Sequence, residues 1–306
     1  MAKLISEIRK AYFLNKYAII TPSRATRPRD IKEETIIKRG DPCPFCAENL
    51  NPKEAIDAIM KKNKWSVLSL ANKFPAVSEN NKKAMGFQEV LVETPKHGLD
   101  MADLSVIEIN KVLEMYIKRT NALMDKKMEY ILCFKNQGSK AGASISHAHS
   151  QIFATKIIPP DLIQEQSLAQ KYKTEKGRCP FCDIIKKEIK SARKIFNDKN
   201  IAAFTPYASE FHYEAWIFPK RHIDNITLLK KQEIESMAKT LKLILSKLKK
   251  LNLSFNYFLH NVVSDNDQHL YIKVQPRDSI LGGVELGSGL IINSVSPEEA
   301  AKFYRK

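Results

Sequence analysis

Three residues of the segment HAHSQ, His147, His149 and Gln151, fall at every second position. On a strand that spacing puts all three side chains on one face and Ala148 and Ser150 on the other. Two imidazoles and an amide in a row make a poor packing surface and a good polar site. The stretch just before them, NQGSKAGASIS (136–146), is small and donor-rich, as suits a place where backbone amides approach phosphate oxygens. Four of the five cysteines form two C-P-F-C clusters, Cys43/Cys46 and Cys179/Cys182. In a cytosolic chain such pairs read as metal ligands or a redox pair rather than as structural disulfides. A redox motif is expected once, opening a helix of a βαβ unit. Two copies, each followed at long range by spaced histidines, favour zinc. Cys133 stands alone in an apolar run and reads as a buried small hydrophobe.

The elements that must hold these residues are written twice. CPFC, an apolar run WSVLSL, the strand-like FQEVLVETP and His97 are followed by a helical stretch, EYILCF and HAHSQIF. A second CPFC, IAAFTP, HYEAWIFP and His222 are followed by another helical stretch, NYFLH and HLYIKVQP. Cys43 and Cys179, His97 and His222, and His147 and His269 stand 136, 125 and 122 residues apart, so the order holds with modest loop shortening. The first helix has a capping box, Ser105 with Glu108, and the apolar stripe Ile109, Val112, Leu113, Tyr116 and Ile117. The second carries Ile234, Met237, Ala238, Leu241, Leu245 and Leu248 on one face. Short alternating strands outnumber helices, which predicts an α+β fold of two tandem duplicated units, each a mostly antiparallel sheet with one long helix. The units are expected at 1–160 and 161–306, with 156–175 as a connector bearing a short helix after its two prolines.

The composition agrees. At roughly 150 residues per domain, 306 residues suit two units, and 43% apolar with 27% charged residues can bury a core. No apolar run approaches the roughly 18–20 residues of a membrane helix, and the N-terminus does not resemble a secretory signal, so a cytoplasmic location is expected. The net charge of +16 suits an anionic substrate or nucleic acid equally. Much of it lies at 228–251, on the polar side of a helix. Against a nucleic-acid module, the C-x-x-C clusters lack finger-type spacing to paired histidines and the basic residues show no aromatic interleaving.

Over nearly its whole length the chain resembles the galactose-1-phosphate uridylyltransferase family of the histidine-triad superfamily. The resemblance is carried by TPSRATRP (21–28), CPFC, ANKFPAV (71–77), EVLVETPKH (89–97), NQGSKAGASISHAHSQI (136–152) and PRDSILGGVELGSG (276–289). Much of this wording is shared with the ADP-glucose phosphorylase branch of that family, so both branches stay open, as does a dinucleoside polyphosphate phosphorylase.

The resemblance implies two histidine-triad-like units and a double displacement through a nucleotidyl-histidine, with a nucleoside diphosphate sugar and a hexose 1-phosphate as partners. By position His149 is the nucleophile, and imidazole suits the role because its neutral form is plentiful near pH 7. Gln151 stands where hydrolytic triad enzymes carry a third histidine. An amide there donates to a phosphate oxygen without protonating the leaving group, which favours transfer over hydrolysis. Arg24 and Arg27 match diphosphate contacts, Asn136 and Ser144 phosphate contacts, Asn72 a nucleoside contact and Glu285 a carboxylate for sugar hydroxyls. Cys43, Cys46, His97 and His147 form a structural zinc set, and the repeat supplies a second in Cys179, Cys182, His222 and His269, hence two zinc ions per chain. His212 and His260 have no assigned partner and read as structural. Ala148 replaces the family's usual proline, and Val284 stands where an aromatic residue is common. In the second unit Tyr271 and Lys273 replace the nucleophile and the glutamine, so that unit is expected to form no adduct. A homodimer is expected, with Glu285 reaching toward the partner's site.

Overall fold

In a computed structural model the chain is described at residues 6–26, 42–261, 263 and 268–306. The strands β1 (Glu7–Lys10) and β2 (Tyr17–Ile20) come first. The first half then supplies β3 (Asp57–Lys61), β4 (Lys64–Ala71), β5 (Gly86–Val92), α1 (Val106–Asp125), β6 (Tyr130–Gln137) and β7 (His149–Thr155). Helices α2 (Pro160–Lys176) and α3 (Pro180–Glu188) lead to β8 (Lys194–Asn197), β9 (Ile201–Phe204) and β10 (Ala215–Pro219). After these come α4 (Lys231–Lys250), β11 (Phe255–His260), β12 (Tyr271–Pro276), α5 (Gly283–Ser288), β13 (Ile291–Asn293) and α6 (Pro297–Arg305).

The expected α+β fold is present, and the two halves share one sheet. Its ten strands run β3-β4-β5-β7-β6-β11-β12-β10-β9-β8, with every neighbouring pair antiparallel. Counted from its outer edge, each half has the same spatial order. The halves meet where β6 pairs with β11, from Phe255 opposite Gln137 to Phe258 opposite Phe134. Pairing these inner strands leaves neither with an open edge. A small second sheet, β1-β2-β13, packs beside it.

The helix stripes behave as their spacing predicts. Ser105 and Glu108 form the capping box of α1, with Glu108 N–H donating to Ser105 Oγ at 3.3 Å and Ser105 N–H to Glu108 Oε2 at 2.8 Å. Ile109, Val112, Leu113 and Tyr116 of α1 and Met237, Ala238, Leu241, Leu245 and Leu248 of α4 lie in one buried core with Ile131, Cys133, Ile152, Ile217 and Ile272 of the sheet. Both long helices therefore cover the same face. Each fully buried aliphatic side chain contributes roughly 1.5–3 kcal/mol, and Leu113→Ala would cost about 2–5 kcal/mol.

Cys133 is buried there, and desolvation pushes its thiol up to about 12. The connector departs from expectation. Its helix α2 runs 17 residues rather than being short, because nothing after Pro160 breaks it until Gly177, which takes a left-handed φ of 69°. Among the described residues no helix is long and apolar enough to cross a membrane.

Candidate active site and metal centres

The face of the sheet opposite α1 carries His149 and Gln151. β7 begins at His149, two residues later than its alternation suggests, although Glu93 N–H donating to Ala148 O carries the ladder one step further. His147 is thus a pre-strand residue, while His149 and Gln151 share the open face as expected. His149 Nδ1 lies 2.8 Å from the carbonyl oxygen of His147. A carbonyl only accepts, so Nδ1 carries the proton and Nε2 keeps its lone pair. The ring is 8% exposed and packs against Phe45 of the first CPFC, with centroids 5.2 Å apart. Burial, with help from the Lys135 charge, holds its pKa below the ordinary value, which keeps the imidazole neutral.

Gln151 accepts at Oε1 from Gln88 Nε2 at 3.2 Å and from Asn72 Nδ2 at 3.5 Å, so Asn72 joins the cluster. Asn136 follows Phe134 on β6, and Phe134 pairs with Gln151, so Asn136 comes level with His149 on the same face. Ser144 lies exposed in the loop before His147, and Arg24 is exposed on the short helical turn Pro22–Thr26. Arg27 lies outside the described residues. Glu285 is not drawn to the cluster within this chain: its carboxylate accepts from Gly282 N–H at the start of its own helix α5.

Both Cys/His sets come together as expected. The ligand atoms of Cys43, Cys46, His97 and His147 lie within 4.8 Å of one another, and so do those of Cys179, Cys182, His222 and His269. In each set the inner histidine turns Nδ1 toward a cysteine: His147 toward Cys43 at 3.6 Å and His269 toward Cys182 at 3.7 Å. Its Nε2 donates to a backbone carbonyl, Thr94 in the first set and Pro219 in the second, both at 2.8 Å. That donation fixes the tautomer a metal ligand needs. The second CPFC does open a helix, α3, as a redox motif would. A hydrogen bond from Cys182 holds the Cys179 thiol below its ordinary value. Cys179 and Cys182 are free thiols, and with the two histidines they form a group that could hold a metal ion.

A family model described as the galactose-1-phosphate uridyl transferase N-terminal domain matches residues 2–159. The chain belongs to the galactose-1-phosphate uridylyltransferase family. An ADP-glucose phosphorylase of Arabidopsis thaliana is 31% identical over 98% of this chain and 92% of its own length. A galactose-1-phosphate uridylyltransferase of Thermotoga maritima is 30% identical over 86% of this chain and 89% of its own. The crystal structure of an Arabidopsis ADP-glucose phosphorylase with bound ADP-glucose matches with a TM-score of 0.86 at 30% identity, covering 99% of both chains. A uridylyltransferase structure matches with a TM-score of 0.77 at 28% identity, covering 98% of both chains. Like these relatives, this uridylyltransferase-family member is an enzyme of the nucleotidyltransferase type.

Sequence reasoning missed several residues around the candidate site. Lys135 Nζ donates to Glu93 Oε2 at 2.8 Å and to His149 O at 2.7 Å, and both charged side chains are 0% exposed. The pair lies beneath the strand that carries His149, on the α1 side. Lys135 shares the inward phase of Ile131 and Cys133 in YILCFK, and a lysine in that phase was the available signal. Gln88 had no signal beyond its place in FQEVLV. His212 and His260, read as partnerless, do have partners: His212 Nδ1 lies 2.7 Å from Asp278, and His260 stacks on Tyr271 with centroids 4.1 Å apart. A cavity of about 680 Å³ opens where the halves join and beneath α2, lined by Asn136, Asn256, Glu165, His260, Lys273 and Arg277 among others; His149 and Gln151 do not line it.

Proposed function

We propose that the enzyme moves a nucleotidyl group from a nucleoside diphosphate sugar to a hexose 1-phosphate by double displacement at His149. The observation that carries this reading is the His149 ring itself: buried and neutral, with Nδ1–H tied to its own strand and Nε2 left as the lone pair. In the first half-reaction Nε2 attacks the α-phosphorus, a P–N bond forms, and the P–O bond to the sugar phosphate breaks. In the second, a phosphate oxygen of the acceptor attacks the same phosphorus and the P–N bond breaks. Gln151, Asn136 and Ser144 serve as donors to phosphate oxygens, Asn72 faces the nucleoside, and Arg24 and Arg27 serve the diphosphate.

The second reading is an ADP-glucose phosphorylase, with inorganic phosphate as the acceptor on the same His149. The Arabidopsis relative and its structure with ADP-glucose favour it. Zinc fits both Cys₂His₂ sets. With four protein ligands it is structural, and the first set holds the start of the strand that presents His149. Thiolate ligands without disulfides suit the cytoplasm. A homodimer completes the site with the partner's Glu285, and the exposed apolar residues around it, Ile280, Val284 and Leu286, suit a covered face.

The test is to incubate the protein separately with UDP-glucose and ADP-glucose carrying label in the α-phosphate and look for labelled His149. Adduct from one of them names the base. No adduct from either would sink the double displacement. Replacing Gln151 by His should raise the ratio of hydrolysis to transfer.

A further inference from the structure

The side-chain amides of Gln151 and Asn136 flank His149 on its face of the sheet. Each amide has a donating end and an accepting end and can turn over, so whatever holds one end decides which faces a ligand. Beside Gln151, the backbone N–H of Ala76 donates to Gln88 Oε1 at 2.8 Å. A peptide N–H can only donate, so Gln88 turns its Nε2 the other way, toward Gln151 Oε1. That oxygen is also approached by Asn72 Nδ2. Nε2 is the end of Gln151 left for a ligand.

The second chain of amides begins in the other half of the molecule. Arg277 Nε donates to Asn256 Oδ1 at 2.5 Å, and Asn256 Nδ2 donates to Ala141 O at 2.9 Å. An arginine cannot accept and a peptide carbonyl cannot donate, so Asn256 is fixed at both ends. The same Nδ2 donates to Asn136 Oδ1 at 2.8 Å. Asn136 is thereby turned with its Nδ2 toward the glycine-containing loop, where a Cβ added at Gly142 would lie 3.8 Å from it.

We infer that Gln88, Asn256 and Arg277 are positioning residues. Two relays, each anchored on a group that cannot reverse, lock Gln151 and Asn136 with their NH₂ ends toward phosphate oxygens beside His149. The inference rests on the proposed nucleotidyl transfer at that residue. Donors fixed in advance need no reorganisation as charge builds on the phosphorus oxygens. The second half, which has no nucleophile, thus acts on the site through Asn256 and Arg277.

The test uses replacements of equal shape. Asn256→Asp keeps an acceptor for Arg277 but has no donor, so Asn136 must turn its oxygen outward. Gln88→Glu does the same to Gln151. Each should slow single-turnover adduct formation about 10–100-fold, as expected for a lost hydrogen bond to a charged group, with metal content and thermal midpoint unchanged. The added charge is controlled by repeating Asn256→Asp in an Asn136→Ala background, where the relay predicts less than about a twofold further loss. An undiminished loss there, or wild-type rates in both single variants, would overturn the inference. If the wild type forms no adduct at all, the proposed reaction fails instead. The relays are then read from AMP and UMP affinity by calorimetry in the same variants, where unchanged affinity or no binding counts against them.

Discussion

The same face of the sheet carries two different surfaces in the two halves. In the first, His149 stands on β7 opposite Val92 of β5, with Phe45 against one side and an amide on the other. In the second, Tyr271 stands at the matching place on β12, stacked on Phe218 at 4.8 Å and on His260 at 4.1 Å. Phe181 of the second CPFC packs on Tyr271 at 5.5 Å, as Phe45 packs on His149, and Glu165 of α2 accepts from the Tyr271 hydroxyl at 3.3 Å. The scaffold is duplicated down to the hydrogen bond behind each metal histidine. The difference lies in what surrounds the matching side chain: His149 has Phe45 and Gln151 as neighbours, while Tyr271 is held between Phe218, His260 and Glu165 of α2. Both halves keep the Cys/His frame, and the face beside it differs.

The strongest test of that difference is chemical. His149→Ala should abolish adduct formation, a loss on the order of a thousandfold or more, while metal content stays unchanged. Tyr271→His should add no adduct on the second half, because Phe218, His260 and α2 still occupy the space. Peptide mapping of labelled protein reads both, and label at position 271 would break the comparison. The next effect concerns which chain supplies the acceptor side. Mixing His149→Ala with Glu285→Ala chains under subunit exchange should restore about a quarter of wild-type activity per site, the fraction expected from random two-fold pairing. No recovery despite demonstrated exchange would confine each site to one chain.

The two metal centres sharpen the contrast further. Elemental analysis should find about two zinc ions per chain. Cys43→Ser and Cys179→Ser should each lose one ion and lower the thermal midpoint. Only Cys43→Ser should also slow adduct formation, by roughly 10–100-fold, because His147 of the first set supplies the carbonyl that holds His149 Nδ1–H. Equal losses of activity from both variants would mean that the two centres serve the site alike.

The buried Lys135–Glu93 pair should show the smallest effect on chemistry and a clear one on stability. Lys135→Met leaves the Glu93 charge buried and alone, which costs about 3–5 kcal/mol by urea unfolding. Removing both charges should recover most of that. The exposed Lys249–Asp103 pair should give less than about 1 kcal/mol in the same measurement.

Much of this protein is determined by the sequence alone. Alternation in HAHSQ puts His149 and Gln151 on one face because a strand's side chains alternate strictly. The repeated CPFC and histidine order marks the same residues in both halves, and the fold brings each set together. The α1 and α4 stripes select the core because helix periodicity leaves no other face apolar. Tertiary structure decided what depends on neighbours distant in the chain. That β6 would pair with β11, fusing two sheets into one, follows from inner strand edges that only meet once both halves fold. The ion pair under His149, the Gln88 and Asn256 hydrogen bonds, and α2 lying over Tyr271 instead of His149 all join residues through space. Local propensity carries no information about such contacts: a lysine, a glutamine and a helix after two prolines read as ordinary until the fold supplies what stands opposite them.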